Sequence, residues 1–309
     1  MRQDFVKFRT AMALAVALVA GSAAMHTASA QAWVAPKGEL DLSLDYNLGK
    51  SDKVIGEGSL EFPDAGTTTH QFTVGAEYVP LPRLAVNVGL PLAVLKYTGN
   101  KTAYPHPGGG RYDDGSAHAT LTDLRVGARY QVLEAPFALA PHLGVSVPVA
   151  DYETVGNTVA GRHLKQLHMG LGIGKVFHES AYVHLIYEFS LVEKYDRTAE
   201  TKRAGQNHSD LAATVGVFVL DHKLDLHIDA NIRETHGGVS FNNFATLSPN
   251  EQLYHDPILA ENIVLVGGGV GYALTDAIGV TASARYFLSG DNTQNASVLA
   301  LGMSWSPLL

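Results

Sequence analysis

The chain contains no cysteine. Disulfides, thiolate metal sites and cysteine nucleophiles are therefore excluded, and the absence suits an envelope protein that crosses an oxidising compartment unfolded. Charged residues make up only 17% of the 309 positions, with a formal balance of −8. That deficit of positive charge argues against nucleic acid as a partner, because phosphate binding needs a basic face. Beyond residue 30 no apolar run approaches the roughly eighteen residues of a spanning helix. A chain of this kind enters a membrane only as strands. No Pro/Ser-rich linker or shift of composition divides it either, which favours one domain.

The first thirty residues differ from the rest. Arg2, Lys7 and Arg9 make a positive start, Ala11–Ala20 is apolar, and Ala28-Ser29-Ala30 fits a small-x-small cleavage site. This is the pattern of a secretory signal peptide, so residues 1–30 are expected to be removed on export. Removing Arg2, Lys7, Arg9 and Asp4 takes away a net two positive charges, from −8 to −10.

What the remainder has in abundance is strict alternation. In Leu40-Asp41-Leu42-Ser43-Leu44-Asp45-Tyr46 every second residue is apolar. Leu124–Tyr130 and Leu224–Arg233 repeat the pattern. A period of two means strands with one apolar and one polar face. Twelve such segments are predicted, at 38–47, 69–79, 84–97, 121–132, 137–150, 165–177, 181–193, 209–220, 223–235, 262–273, 277–288 and 296–306. The connections alternate in length. Short turns occur at 80–83, 133–136, 178–180, 221–222 and 274–276; long polar or Gly-rich loops occur at 48–68, 98–120, 151–164, 194–208 and 236–261, with a shorter one at 289–295. An even number of strands with alternating short and long connections is the organisation of an outer-membrane barrel. The expected fold is thus all-β: a single antiparallel transmembrane β-barrel spanning 31–309, with about 12 strands, short periplasmic turns and long external loops. Its first partner would be outer-membrane lipid. A soluble barrel would instead bury the apolar face, and twelve strands enclose too wide a tube for that. Aromatic belts are expected from Tyr78, Tyr130, Tyr272 and Trp305 at the short-turn end and from Tyr46, Tyr97, Tyr187 and Tyr286 at the other.

The segment Ile263-Val264-Leu265-Val266-Gly267-Gly268-Gly269-Val270-Gly271 imitates a dinucleotide-binding turn. That fingerprint needs a third glycine and then a helix. Here Tyr272 or Leu274 takes the third position, and alternation resumes at Ile278. The glycines are expected to face inward and make room, as are Gly170, Gly172 and Gly174.

On the inward register lie Asp41, Asp45, Glu77, Asn87, Asp123, Arg125, Arg129, His142, His168, His184, Glu188, Asp225, His227, Asp229, Arg233 and Arg285. Mixed signs predict ion pairs across the lumen, either as a structural network for buried charge or as a lining that selects solutes. Asp123, Arg125, Arg129, Arg233 and Arg285 are the candidates for shaping passage. Leu95, Ile186, Leu265, Phe218 and Phe287 share that register and would suit a moderately apolar solute. The histidines sit on different strands without H-x-x-x-H or H-E-x-x-H spacing, so no metal or other cofactor is expected. His106, Asp113, Asp114 and His118 read as a flexible external loop. The rival function is an outer-membrane lipid-modifying enzyme built on His178/Ser180 or Ser116/His118, for which no G-x-S-x-G motif exists. A structural barrel without an open pore is the third reading.

Val88-Gly89-Leu90-Pro91-Leu92, Thr122–Tyr130 and Gly144–Asp151 together resemble the outer-membrane proteins associated with the meta-cleavage pathway of phenol degradation, a porin-like transporter family. Ala150 departs from that family's usual Pro-x-Gly-Asp turn. The resemblance covers about the middle half of the chain after residue 30 and carries over no catalytic residue. It implies a barrel for passive passage of small, often aromatic or hydrophobic, solutes.

Overall fold

A computed structural model describes residues 32–99, 113–194, 205–240, 242, 246, 248, 252 and 254–307. The expected signal peptide and His106 lie outside these residues. Sixteen strand segments follow one another: β1 (Leu40–Lys50), β2 (Lys53–Ile55), β3 (Glu61–Pro63), β4 (Thr67–Leu81), β5 (Leu84–Tyr97), β6 (Ala117–Leu121), β7 (Asp123–Tyr130) and β8 (Ala138–Pro148). The second half holds β9 (Gln166–Phe177), β10 (Ala181–Val192), β11 (His208–Val219), β12 (Leu224–Thr235), β13 (Asn262–Ala273), β14 (Ile278–Asp291), β15 (Thr293–Gln294) and β16 (Ser297–Trp305).

Each long strand pairs antiparallel with its neighbour in sequence, and β1 pairs with β16 to close the ring. With β6 and β7 counted as one strand interrupted at Thr122, the barrel has twelve staves. The interruption faces Pro91, which has no N–H for the ladder; Thr122 N donates instead to the Pro91 carbonyl at 3.0 Å. Closure removes the open edges that an unpaired sheet would present. Most staves run nine to fifteen residues, enough to cross a bilayer at a tilt.

The outward face is apolar. Val74, Val126, Leu143, Val215, Ile228 and Leu299 are exposed on different staves, while Arg129, His168 and Asp225 are buried. Polar inside and apolar outside is the arrangement of a barrel whose surrounding solvent is hydrocarbon. Tyr78, Tyr130, Tyr272 and Trp305 point outward at the short-turn end, and Tyr187 and Tyr286 near the other.

Two expectations change. Tyr97 does not join the outer belt: it is 1% exposed, because it shares the inward parity of Asn87 and Leu95, and its hydroxyl donates to the Asp64 carbonyl at 3.2 Å. The segments 48–68 and 289–295 are more than loops, since β2 pairs with both β3 and β15 in a small separate sheet at the long-loop end.

Candidate functional site: the charged lumen and its two ends

Alternation brings the inward side chains of neighbouring staves into one space, and the barrel's curvature lets them reach past the strand between. Arg129 Nη2 on β7 donates to Glu77 Oε1 on β4 at 2.5 Å, with β5 intervening. Arg125 Nη2 on β7 reaches Glu188 Oε2 on β10 at 2.5 Å, three staves away. His142 Nε2 lies 3.0 Å from the same oxygen. His168 Nδ1 is 3.3 Å from Glu188 Oε1. Ser146 and Ser190 hydroxyls each lie 2.8 Å from a His168 ring nitrogen. On the opposite wall Arg285 Nε pairs with Asp229 Oδ1, Asp225 binds His227 at 2.7 Å, and the Tyr182 hydroxyl donates to Asp225 at 2.9 Å. Charges removed from water in this way are stable only when paired.

The glycines occupy the space behind these pairs. A Cβ on Gly267 would lie 2.9 Å from Arg285 Cγ, and one on Gly269 would lie 2.8 Å from His227 Nε2. A Cβ on Gly170 would meet His142 Nε2 at 2.6 Å. Large buried side chains on one stave thus require none on the next.

The other expected lumen residues are placed as follows. Asp41 accepts from Ser306 Oγ at 2.7 Å near the short-turn end. Asp45 sits over Gly302. Asp123 accepts from the Tyr152 hydroxyl at 2.5 Å. Arg233 pairs with Asp210 at 2.7 Å near the long-loop end. His184 meets a segment that sequence reasoning missed.

That segment precedes β1 and lies inside the short-turn end of the barrel. Ala32 N donates to His184 Nε2 and Val34 N to Gln131 Oε1, both at 3.1 Å. Trp33 packs against Tyr182 and Phe218, over Gly174, where a Cβ would meet its ring at 2.2 Å. Val34 joins Val79 and Ala85. The one sequence signal was the apolar Ala32-Trp33-Val34-Ala35-Pro36, which does not alternate.

At the long-loop end the loops fold over the lumen. Asp113 accepts four hydrogen bonds from Asn157 and Thr158, at 2.6–3.1 Å, tying loop 98–120 to loop 151–164. Asp114, Ser116 and His118 contact one another at the exposed rim, with Ser116 Oγ 3.1 Å from His118 Nε2. Beneath the loops is a cavity of about 250 Å³ whose walls come from β2, β4, β5, β13, β15 and loops 151–164 and 236–261. Arg162 Nη2 reaches Glu261 Oε2 across it at 3.1 Å. Burial pushes the Glu261 carboxyl up, but Arg162 and Arg233 outweigh it and hold the group below its ordinary range. Burial and then the Glu261 charge push Asp256 up to about 7.

No family model matches the chain, and comparison with curated proteins finds no sequence relative. Solved structures do match in shape. An outer membrane channel from Pseudomonas putida F1 superposes with a TM-score of 0.69 at 14% identity, over 89% of this chain and 97% of the other. The beta domain of the Bordetella autotransporter BrkA gives 0.51 at 14% identity, over 88% and 100%. Both are similar to this chain in fold. The fold is that of an outer-membrane barrel.

Proposed function

We propose that the protein is exported by its N-terminal segment, lodges in the outer membrane and passes small solutes through its lumen. The observation that carries this reading is the inversion of the barrel, apolar outside and densely charged inside. A solid core would need none of the buried pairs on Arg125, Arg129 and Arg285. In this reading Asp41, Asp45, Glu77, Asp123, His142, His168, His184, Glu188, Asp225, His227, Asp229 and Arg233 line the route with those arginines. Arg125, Arg129 and Arg285 are each neutralised by a carboxylate, so size and polarity shape passage alongside a residual negative charge from the carboxylates left without an arginine. Leu95, Ile186 and Phe218, buried on the same register, give an apolar or aromatic solute a surface to follow, as the family resemblance implies. The likeness in fold to a bacterial outer membrane channel supports passage over a sealed barrel.

The test is single-channel recording of the refolded protein in a planar bilayer, with folding verified by heat-modifiable gel mobility. Stepwise conductance reduced by small aromatic solutes is the expected result. A folded barrel with neither conductance nor solute flux into liposomes would overturn the channel reading.

One observation favours a hydrolytic alternative. Ser146, His168 and Glu188 are connected in the order nucleophile, base and orienting acid. Ser190 competes at His168 Nδ1 at the shorter distance of 2.8 Å, and Ser146 is buried. Phospholipid or ester hydrolysis lost in Ser146→Ala would establish this reading instead.

A further inference from the structure

The cavity under the long loops carries more carboxylate than guanidinium: its wall holds Arg162, Glu261 and Asp256. At the cavity wall Arg162 binds Glu261; Arg233 lies 3.9 Å from Glu261 and binds Asp210. Two guanidiniums are thereby balanced by two carboxylates. Asp256 is the third carboxylate. It lines the cavity, and among the described residues its side chain makes no hydrogen bond. Arg162 Nη1 is enclosed by protein and out of a solute's reach. The lining also includes the apolar side chains of Val54, Leu95, Val159, Leu259 and Ile263, among polar ones such as Thr67, Thr69 and Asn157. The volume of about 250 Å³ is near the low end for small-molecule sites, roughly 300–1,000 Å³.

The geometry points to a binding subsite on the solute route for a small organic cation, a protonated amine on a compact apolar body. Its ammonium would be held by Asp256 and its body by the apolar wall. This deepens the channel reading and rests on it for the claim that the occupant is in transit. An unpaired carboxylate in a water-poor cavity is costly and gains most from an ammonium, which supplies both charge and hydrogen-bond donors. An anion would meet the two carboxylates Asp256 and Glu261 against the one guanidinium of Arg162. A neutral solute would leave Asp256 uncompensated. Among the described residues no cluster could ligate a metal ion.

Asp256 shares the cavity wall with Glu261, Arg162 and His255, and its protonation is the natural competitor of this cation. Burial is the first cause of its raised pKa of about 7, followed by the nearby charge of Glu261; Arg162 opposes and Asp113 adds to the rise. The cation binds the ionised form. Affinity should therefore be full above about pH 7 and fall as the pH drops below it, approaching tenfold per unit.

The experiment is calorimetric titration of the folded, detergent-solubilised full-length protein with benzylamine, benzyl alcohol and benzoate, at pH 8 and pH 5.5. The amine stays protonated at both. The expected result is that benzylamine binds at least about tenfold tighter than benzyl alcohol at pH 8, that benzoate binds most weakly, and that the amine's advantage is lost at pH 5.5. Asp256→Asn should erase the difference between amine and alcohol while keeping heat-modifiable mobility. Equal binding of the three probes, preference for benzoate, or an Asp256→Asn protein that keeps the amine preference would overturn the proposal. If that variant does not fold, the wild-type series at the two pH values decides alone. The measurement needs no ion flow. Binding without conductance overturns the channel reading, whereas conductance without amine preference overturns only the subsite.

Discussion

Arg129 shows what a buried charge asks of its surroundings. Its side chain is 1% exposed and has Glu77 as its partner at 2.5 Å. Removing one member of such a pair leaves the other uncompensated, at a cost of about 3–5 kcal/mol, whereas replacing both with apolar groups of similar size is often neutral. Arg129→Ala should therefore lower the urea midpoint of unfolding in lipid vesicles sharply, while Arg129→Met combined with Glu77→Leu should restore most of it. If the single and double variants unfold alike, the pair carries no such energy. The glycines are the counterpart of these side chains. Gly267→Val would drive a branched side chain into Arg285 and the β14 backbone, so the same assay should show a loss there comparable to Arg129→Ala.

At the scale of elements, the segment Ala32–Ala35 is held by two hydrogen bonds from its backbone N–H groups to the His184 and Gln131 side chains and by Trp33. It belongs to no strand, so the barrel ring is complete without it. Trp33→Gly removes the ring packed against Tyr182 and Phe218 and should loosen the segment without disturbing assembly. The expected outcome is an unchanged heat-modifiable band with a larger or noisier unitary conductance. An unaltered conductance would show that residues 32–35 do not restrict the route. The long-loop end is held differently, by Asp113 with four hydrogen bonds to Asn157 and Thr158. The segment before β1 and the long loops thus close the two ends by different chemistry: mainly apolar packing at one and charged hydrogen bonds at the other.

On the scale of the whole molecule the decisive feature is the apolar exterior. Ile228 is 68% exposed and sits mid-strand opposite Gly268. In a soluble protein Ile228→Lys at so exposed a site would be nearly silent. In a bilayer a lysine near the midplane costs about 2–4 kcal/mol, so folding into vesicles should be impaired by that amount. A change at the exposed rim, such as Glu61→Lys on β3, should leave folding intact. Equal tolerance at both positions would contradict a membrane setting.

Much of this was legible before any coordinate. Alternation is local and has a period of two, so Leu224–Arg233 announces both a strand and which face each residue takes, and twelve such stretches with short and long connections specify an even-stranded antiparallel barrel. The inward glycines of β13 follow from the same parity. Tyr97 was misassigned where its aromatic character was weighed above that parity. Partner choice was not legible. Arg125 and Glu188 are 63 residues apart, and their meeting depends on register and curvature, which no local pattern encodes. The same holds for the tuck of Trp33 over Gly174, the β2–β3–β15 sheet and the cavity that isolates Asp256. Each is assembled from segments distant in sequence. The sequence by itself therefore determined the strands and their two faces, because side-chain alternation is a property of the extended backbone. Which charges neutralise one another only the closed barrel decided, because closure sets which inward side chains share a space.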